Sequence, residues 1–406
     1  MKVAYYLAKK IRFTKNQAFS SVIIKVGIAS VAIAVSVLIL SFFVLYGFKN
    51  TIKSKLFGQT SHIQISKITL NRSFEETSMP NNLEREQKTR NLPNIKSINK
   101  IALKSVILKS EDAIAGVVFK GIDKNYDWSE FKENLIAGRL PDFGKDSVSK
   151  EIIVSQKILN DLDLKLNDDL LVYFIQNPPR ARKLKIVGIY NTNVEELDQL
   201  YFYGDINQVR KINNWDEGQF GHYEIYLKDI SLIEETKESL LEIFPQEYEV
   251  LKVTEILPQF FDWFKLLDRN IILVIFLILI VAGFNMISVL LIMIMERTPM
   301  VGLLKSIGST DGTIRSIFLS NGGRITFKGL IFGNLIAISL AFIQSKFHII
   351  KLDASNYYME YVPIEWNWWV VLLVNISIFL VILLITFIPA MIIKKISPVQ
   401  ALKYKD

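Results

Sequence analysis

The chain predicts an α-helical membrane protein with four transmembrane helices and a large α+β domain inserted between helices one and two. Three observations predict it. Uncharged apolar runs occupy Val26–Phe48, Ile271–Met295, Gly329–Ser345 and Trp366–Ile393, split one and three by a polar block of 221 residues. A run of ~20 residues crosses a ~30 Å hydrocarbon core as a helix. The net charge of +8 is also uneven: residues 49–269 carry 31 Lys and Arg against 34 Asp and Glu, the remainder 17 against 6. A basic chain of this kind calls for the positive-inside rule rather than for nucleic acid.

Residues 1–25 hold Lys2, Lys9, Lys10, Arg12, Lys15 and Lys25 and no acid. The first span, 26–48, is too long for a signal-peptide core, and no small-x-small site follows Tyr46, so an uncleaved anchor is expected. Lys49, Lys53 and Lys55 then run against the charge rule. They are read as the exposed side of a helix leaving the membrane, with Ile52, Leu56 and Phe57 on its other faces. Basic residues outnumber acids again in 296–315 and in the tail 394–406. With four spans those segments share one side, which is cytoplasmic; 49–269 and the loop 346–365 then face the periplasm. The third run has only 17 residues, so the span must begin near Ser316 and include Arg324 and Lys328. The spans are thus 26–48, 270–295, 316–345 and 366–393.

Residues 49–269 switch between periods of 2 and 3.6, as an α+β domain does. Strands are expected at His62–Ser66, Val106–Lys109, Ala115–Gly121, Glu151–Ser155, Leu170–Gln176, Lys183–Tyr190, Gly221–Leu227 and Tyr248–Val253. Helices are expected at Asp205–Ile212, capped by Asp205, and at Leu232–Phe244. Asn71–Pro93 is polar and reads as an excursion or loop. Thr254–Arg269 reads as a helix running unbroken into span two, forming a stalk with Lys49–Phe57. With no cysteine, the outer domain must hold together by packing alone.

Chemistry is largely missing. Gly144-Lys145 lacks the rest of a phosphate loop, and His62, His222 and His348 have no ligand-like spacing. Leu319–Gly323 reads as a small-residue helix start. Asp168-Asp169 and Glu195-Glu196 read as solvated charge. No catalytic residue, metal ligand or bound cofactor is expected.

Three features carry functional weight. The segment Glu296-Arg297-Thr298-Pro299-Met300-Val301-Gly302-Leu303-Leu304-Lys305-Ser306-Ile307-Gly308 follows span two. Pro299 suits a first helical turn, Met300, Leu303, Leu304 and Ile307 form one apolar face, and Gly308 ends the helix. Such a helix lies on the inner leaflet or docks on a cytoplasmic partner. A hairpin at Leu170–Tyr190 is centred on Asn177, Pro178, Pro179, Arg180 and Arg182, followed by Lys183. It is a plain turn or a stiff basic finger for a periplasmic partner. Finally, Phe42, Phe43, Tyr46 and Phe48 on span one and Phe260, Phe261, Trp263 and Phe264 before span two either anchor the interface or line an apolar cavity. Trp366, Trp368 and Trp369 read as interface anchors.

The one-plus-three span order, Glu296–Gly308, Gly138-Arg139-Leu140-Pro141 and the closing Ile396–Leu402 resemble the FtsX-like/MacB-like permeases of ABC transporters over essentially the whole chain. Tyr6–Lys10, Gly47-Phe48, His62–Ile65 and the size of the outer domain resemble the lipoprotein-releasing LolC/LolE-type permeases in particular. The resemblance implies a mechanotransmission permease in the inner membrane of a Gram-negative-type bacterium. Its partners would be a separate cytoplasmic ATPase dimer holding ATP and Mg, a second permease subunit, a lipoprotein substrate with membrane lipid, and a periplasmic lipoprotein carrier. Glu296, Arg297, Met300, Gly302, Leu303, Lys305 and Gly308 would couple to the ATPase. Asn177–Arg182 would be the carrier hook, and Phe42, Phe43, Tyr46, Phe48, Trp263 and Phe264 a lipid cavity. Peptide or small-molecule export, control of a cell-wall hydrolase, and a membrane protein with no ATPase are the competing readings.

Overall fold

A computed structural model describes residues 18–69, 74–110, 113–143 and 148–391. The basic leader through Asn16, Gly144-Lys145 and the closing Ile396–Leu402 lie outside the described residues.

The first helix, α1 (Ala18–Gln59), has 42 residues. At 1.5 Å per residue it is about 63 Å long, twice a hydrocarbon core. It therefore continues past the first span, as expected. Lys49, Lys53 and Lys55 are not on an exposed side, however: all three are half-buried, Lys49 is ion-paired at 2.8 Å with Asp268, and Lys55 donates to the Tyr358 carbonyl at 2.8 Å. Burial lowers the Lys55 pKa, the carboxylates of Asp198 and Glu360 opposing it. Ile52, Leu56 and Phe57 are buried.

The outer unit (residues 50–263 and 352–360) runs β1 (Ile63–Lys67), α2 (Leu83–Arg90), β2 (Ile95–Lys109), β3 (Ile114–Ile122), β4 (Leu135–Gly138), β5 (Glu151–Ser155) and α3 (Gln156–Leu162). It continues with β6 (Asp169–Phe174), β7 (Arg180–Tyr190), α4 (Glu195–Asp198), β8 (Tyr201–Asp205), α5 (Ile206–Asn213), β9 (His222–Leu227), α6 (Ile233–Ile243), β10 (Tyr248–Lys252) and α7 (Val253–Ile256). The ten strands among the described residues form one sheet, and part of it closes on itself. β2 pairs β3, β3 pairs β8, β8 pairs β5, β5 pairs β7, β7 pairs β6, and β6 returns to β2. Closure removes edges along this ring. β9, β1 and β10 extend the sheet from the other half of β2.

Alternation fills the ring: Val106, Leu108, Val117, Phe119, Ile152, Val154, Val172, Phe174, Ile186 and Phe202 are buried in one core. Phe131, Tyr190 and Tyr203 pack against one another at 4.8–5.4 Å in a second cluster. Gly138, at φ 79°, is needed where the chain crosses β7; a Cβ there would lie 2.3 Å from the Val187 carbonyl oxygen. Arg139 of the same element forks onto Glu151. Asp205 caps α5 as expected, accepting from Asn207 N at 2.9 Å.

Three expectations for this unit need correction. Residues 71–93 are not all loop: α2 lies within them, capped by Asn82, and Met79 bridges to Phe220. The stalk before span two is not one helix, because α7 ends at Leu257 ahead of Pro258; the residue before a proline is pushed out of the α region. β4 and β8 add strands that were not expected.

The remaining helices are α8 (Pro258–Glu296), α9 (Thr298–Ser306), α10 (Asp311–Phe347), α11 (Ala354–Tyr357) and α12 (Trp368–Ala390). α1, α8, α10 and α12 are long and apolar enough to cross a membrane. The helix that carries the third apolar run starts upstream of it, at Asp311, capped by Thr310. Leu319–Gly323 therefore sits inside α10 rather than at its start. Within the membrane unit, α10 packs closely on α1 through Gly329 and Gly333. A Cβ on the first would meet Val31 at 2.5 Å and on the second the Ala32 carbonyl at 2.7 Å. α10 and α12 are joined by a reciprocal amide pair, Asn334 to Asn375 at 2.7 and 3.0 Å.

Candidate functional site

The segment after span two folds as its residues dictate. Glu296 closes α8, with its Oε2 buried and without a hydrogen-bond partner among the described residues. Arg297 stands at the N-cap position of α9, and Pro299 occupies its first turn. Gly308 turns the chain at φ 90°, with Gly308 N and Ser309 N donating to the carbonyls of Lys305 and Leu304. Lys305 pairs with Asp311 at 2.9 Å, bracing α9 against the first turn of α10. The single apolar face expected here is in fact two. Val301 is fully buried, Gly302 is buried, and Met300 and Leu304 pack partly on the helix-bundle core. Leu303 and Ile307 point away, 55% and 71% exposed. The bundle claims one side of α9 because its own apolar residues need cover. The other side is left as a Leu–Ile ridge one turn apart.

Asn177, Pro178 and Pro179 form the exposed tip of the β6–β7 hairpin, with a cis Asn177-Pro178 bond. Arg180 and Arg182 are half-buried on one face of β7. Arg180 is tethered to the Lys211 carbonyl at 3.1 Å, whereas Arg182, among the described residues, donates to the neighbouring Ala181 carbonyl at 3.0 Å. Lys183 pairs with Asp169 at 3.1 Å on the hairpin's first strand.

The aromatic residues do not gather around one cavity. Phe43 is fully buried and packs on Trp366 at 5.4 Å, so it belongs to the bundle core. Phe42 stacks on Tyr46 at 6.2 Å. Phe264 is buried, and Trp263 stands edge-on to Tyr358 at 6.4 Å, with Phe260 also against that ring. Phe48 is half-buried. The apolar groove in the membrane unit lies elsewhere on α1 and α8: about 510 Å³ walled by Val26, Ile33, Val37, Leu277 and Val281. Ser30 and Asn285 share a 2.8 Å hydrogen bond at its wall. An asparagine inside an apolar run was the signal that marks this place in the sequence. Trp368 and Trp369 are exposed, as interface anchors are.

The histidines have structural partners. His62 Nδ1 accepts from Leu227 N at 2.8 Å, and burial lowers its pKa to about 4. His222, fully buried, lies 2.5 Å from Glu76. Burial pushes it down, but the Glu76 and Glu224 carboxylates outweigh that and raise it to about 9. Of the carboxylate pairs, Asp169, Glu195 and Glu196 bond to Lys183, Lys157 and Tyr358, and Asp168 accepts from Lys165 N.

Residues 272–398, from α8 to beyond α12, match the FtsX-like permease C-terminal family model. The chain thus carries, in its C-terminal third, a segment similar to the FtsX-like permease C-terminal domain. Along its whole length it is similar to lipoprotein-releasing system proteins. It is 21% identical to the transmembrane protein LolE of Haemophilus influenzae, over 94% of each chain. It is 24% identical to LolC of Buchnera aphidicola, over 95% of this chain and 94% of the relative. The periplasmic region of MacB from Actinobacillus actinomycetemcomitans matches 50% of the chain and 94% of its own length, at 13% identity and TM-score 0.35.

Proposed function

We propose that this permease releases lipoproteins from the inner membrane to a periplasmic carrier, driven by a separate ATPase that acts on α9. The observation that carries the coupling role is the exposed Leu303–Ile307 ridge on a helix braced by Lys305–Asp311. Relatives matched over 94% of both chains and named for lipoprotein release support the cargo. The excess of basic over acidic residues in 1–25, 296–315 and 394–406 supports reading α9 and both termini as cytoplasmic and the outer unit as periplasmic.

Solvation dictates the rest. Three acyl chains of about 15 methylenes each, at ~0.8 kcal/mol per CH₂, would cost about 36 kcal/mol to expose fully to water. No single nucleotide-driven stroke meets that, so lipid must pass from bilayer to apolar groove to carrier without full exposure. The α1–α8 groove of paired permeases, homologous or identical, supplies the shelter. ATP and Mg bind the partner ATPase, whose closure moves α9. The β6–β7 tip, with Arg182, holds the carrier. Reconstitution with the ATPase in proteoliposomes tests this: acylated lipoprotein should appear on a soluble carrier only with ATP. ATP-dependent movement of a peptide or small molecule with none of lipoprotein would replace this reading with the export one.

A further inference from the structure

The outer end of α1 is gripped by buried polar groups from three elements of the outer unit. Gln59 is its last residue and is fully buried. Its carbonyl, one of those a helix end leaves without an intrahelical partner, accepts from Lys120 Nζ on β3 at 2.7 Å. Lys120, 3% exposed, is held by Glu224 on β9 at 2.7 Å and lies over the rings of Tyr203 and Tyr201 at 5.5 and 5.9 Å. The Gln59 amide donates to Asp198 Oδ1 on α4 at 2.8 Å and to Thr192 at 3.3 Å. Asp198 in turn accepts from Thr192 N at 3.0 Å and Thr192 Oγ1 at 2.7 Å. A cation at a helix C-terminus also complements its dipole.

An ordinary helix end needs only a glycine or water. Burying a lysine, a glutamate and an aspartate around one is costly unless the grip itself is needed. The other stalk contrasts with it, since α7 and α8 are separated by the joint at Leu257-Pro258. α1 is unbroken from span to sheet; α8 is not.

We infer that Lys120 and Asp198 are positioning residues: they fasten α1 to the closed strand ring, so that axial motion of this one helix is carried into the outer unit. This deepens the transport reading above and rests on it.

The test uses the full chain with its ATPase in proteoliposomes. Lys120→Met with Glu224→Leu removes the grip on the carbonyl without stranding a charge, and leaves His222 its partner Glu76. Gln59→Leu removes the grip on Asp198, which keeps its hydrogen bonds from Thr192 N and Oγ1. In each, amide exchange in the last turn of α1 should quicken at least tenfold while β3 and β6 stay protected. ATPase stimulation should be unchanged, and lipoprotein released per ATP should fall at least tenfold. Unchanged exchange in folded variants overturns the fastening, and loosened ends with undiminished release overturn its role in transmission. A wild-type protein that releases no lipoprotein defeats the transport reading and the transmission role with it, while exchange still decides whether the fastening holds α1.

Discussion

Replacing Leu303 and Ile307 with alanine removes the only strongly exposed large apolar side chains described on α9 and its following turn, and spares its packing on the bundle. Fully burying a leucine or isoleucine stabilises by about 2.3 kcal/mol. With 55% and 71% of these residues still to be covered, docking gains about 1.3 and 1.6 kcal/mol. The double variant should therefore bind the ATPase about 100-fold more weakly, since 1.4 kcal/mol is tenfold.

The assay is ATPase stimulation titrated against permease concentration, which reads apparent affinity directly. The half-stimulating concentration should rise about 100-fold, with unchanged thermal stability in detergent. Val301→Ala is the control: fully buried in the bundle, it should lower stability by about 1 kcal/mol and move the titration little. An unchanged half-stimulating concentration in the double variant would refute the docking assignment. Loss of membrane association by α9 instead would return it to the inner leaflet.

Three further outcomes are expected. His222, raised to about 9 from 6.5, contributes stability that is fully present below pH 6.5 and lost as pH rises through 9. His62, lowered to about 4, binds more protons unfolded, so its contribution is lost as pH falls from 6.5 to 4. Each limb amounts to about 3 kcal/mol; denaturation followed by tryptophan fluorescence should show both, and His222→Gln should flatten only the alkaline one. Asn334→Leu should cost about 1 kcal/mol by stranding Asn375 in the bilayer, and Asn334→Leu/Asn375→Leu should recover most of it in unfolding measurements. Arg182→Ala should weaken carrier crosslinking to the hairpin about tenfold more than Arg180→Ala, because Arg180 is already committed to the Lys211 carbonyl.

The membrane helices were legible because a hydrocarbon core imposes length and composition on each one separately. α9 was legible for a similar reason: Pro299 and Gly308 punctuate it locally. What a pattern could not say is which side of α9 the bundle would claim, since that depends on residues from other helices. α2 was missed because only Thr89 in it is buried, leaving no apolar period to read. Its signals were Asn82 ahead of Glu84 and Glu86, with Lys88 and Arg90 in the last turn. The first part of β2 was missed because Ile98, Asn99, Ile101, Ala102, Leu103 and Lys104 are all buried, so both faces are covered and no two-residue alternation is left to read.

The buried charges were the least legible feature and bear most on mechanism. Lys120 and Glu224 alternate with apolar neighbours as solvent-facing residues do, yet their side chains are 3% and 4% exposed. Their partners come from β9, β3 and the end of α1, more than 60 residues apart in the chain. A single strand carries no trace of such company. The same non-locality is why the two stalks looked equivalent in the sequence. Leu257-Pro258 marks one as jointed, but the fastening of the other appears only when Gln59 meets Lys120 and Asp198. A rod that is gripped at its end and a rod that is jointed near its end respond differently to one push.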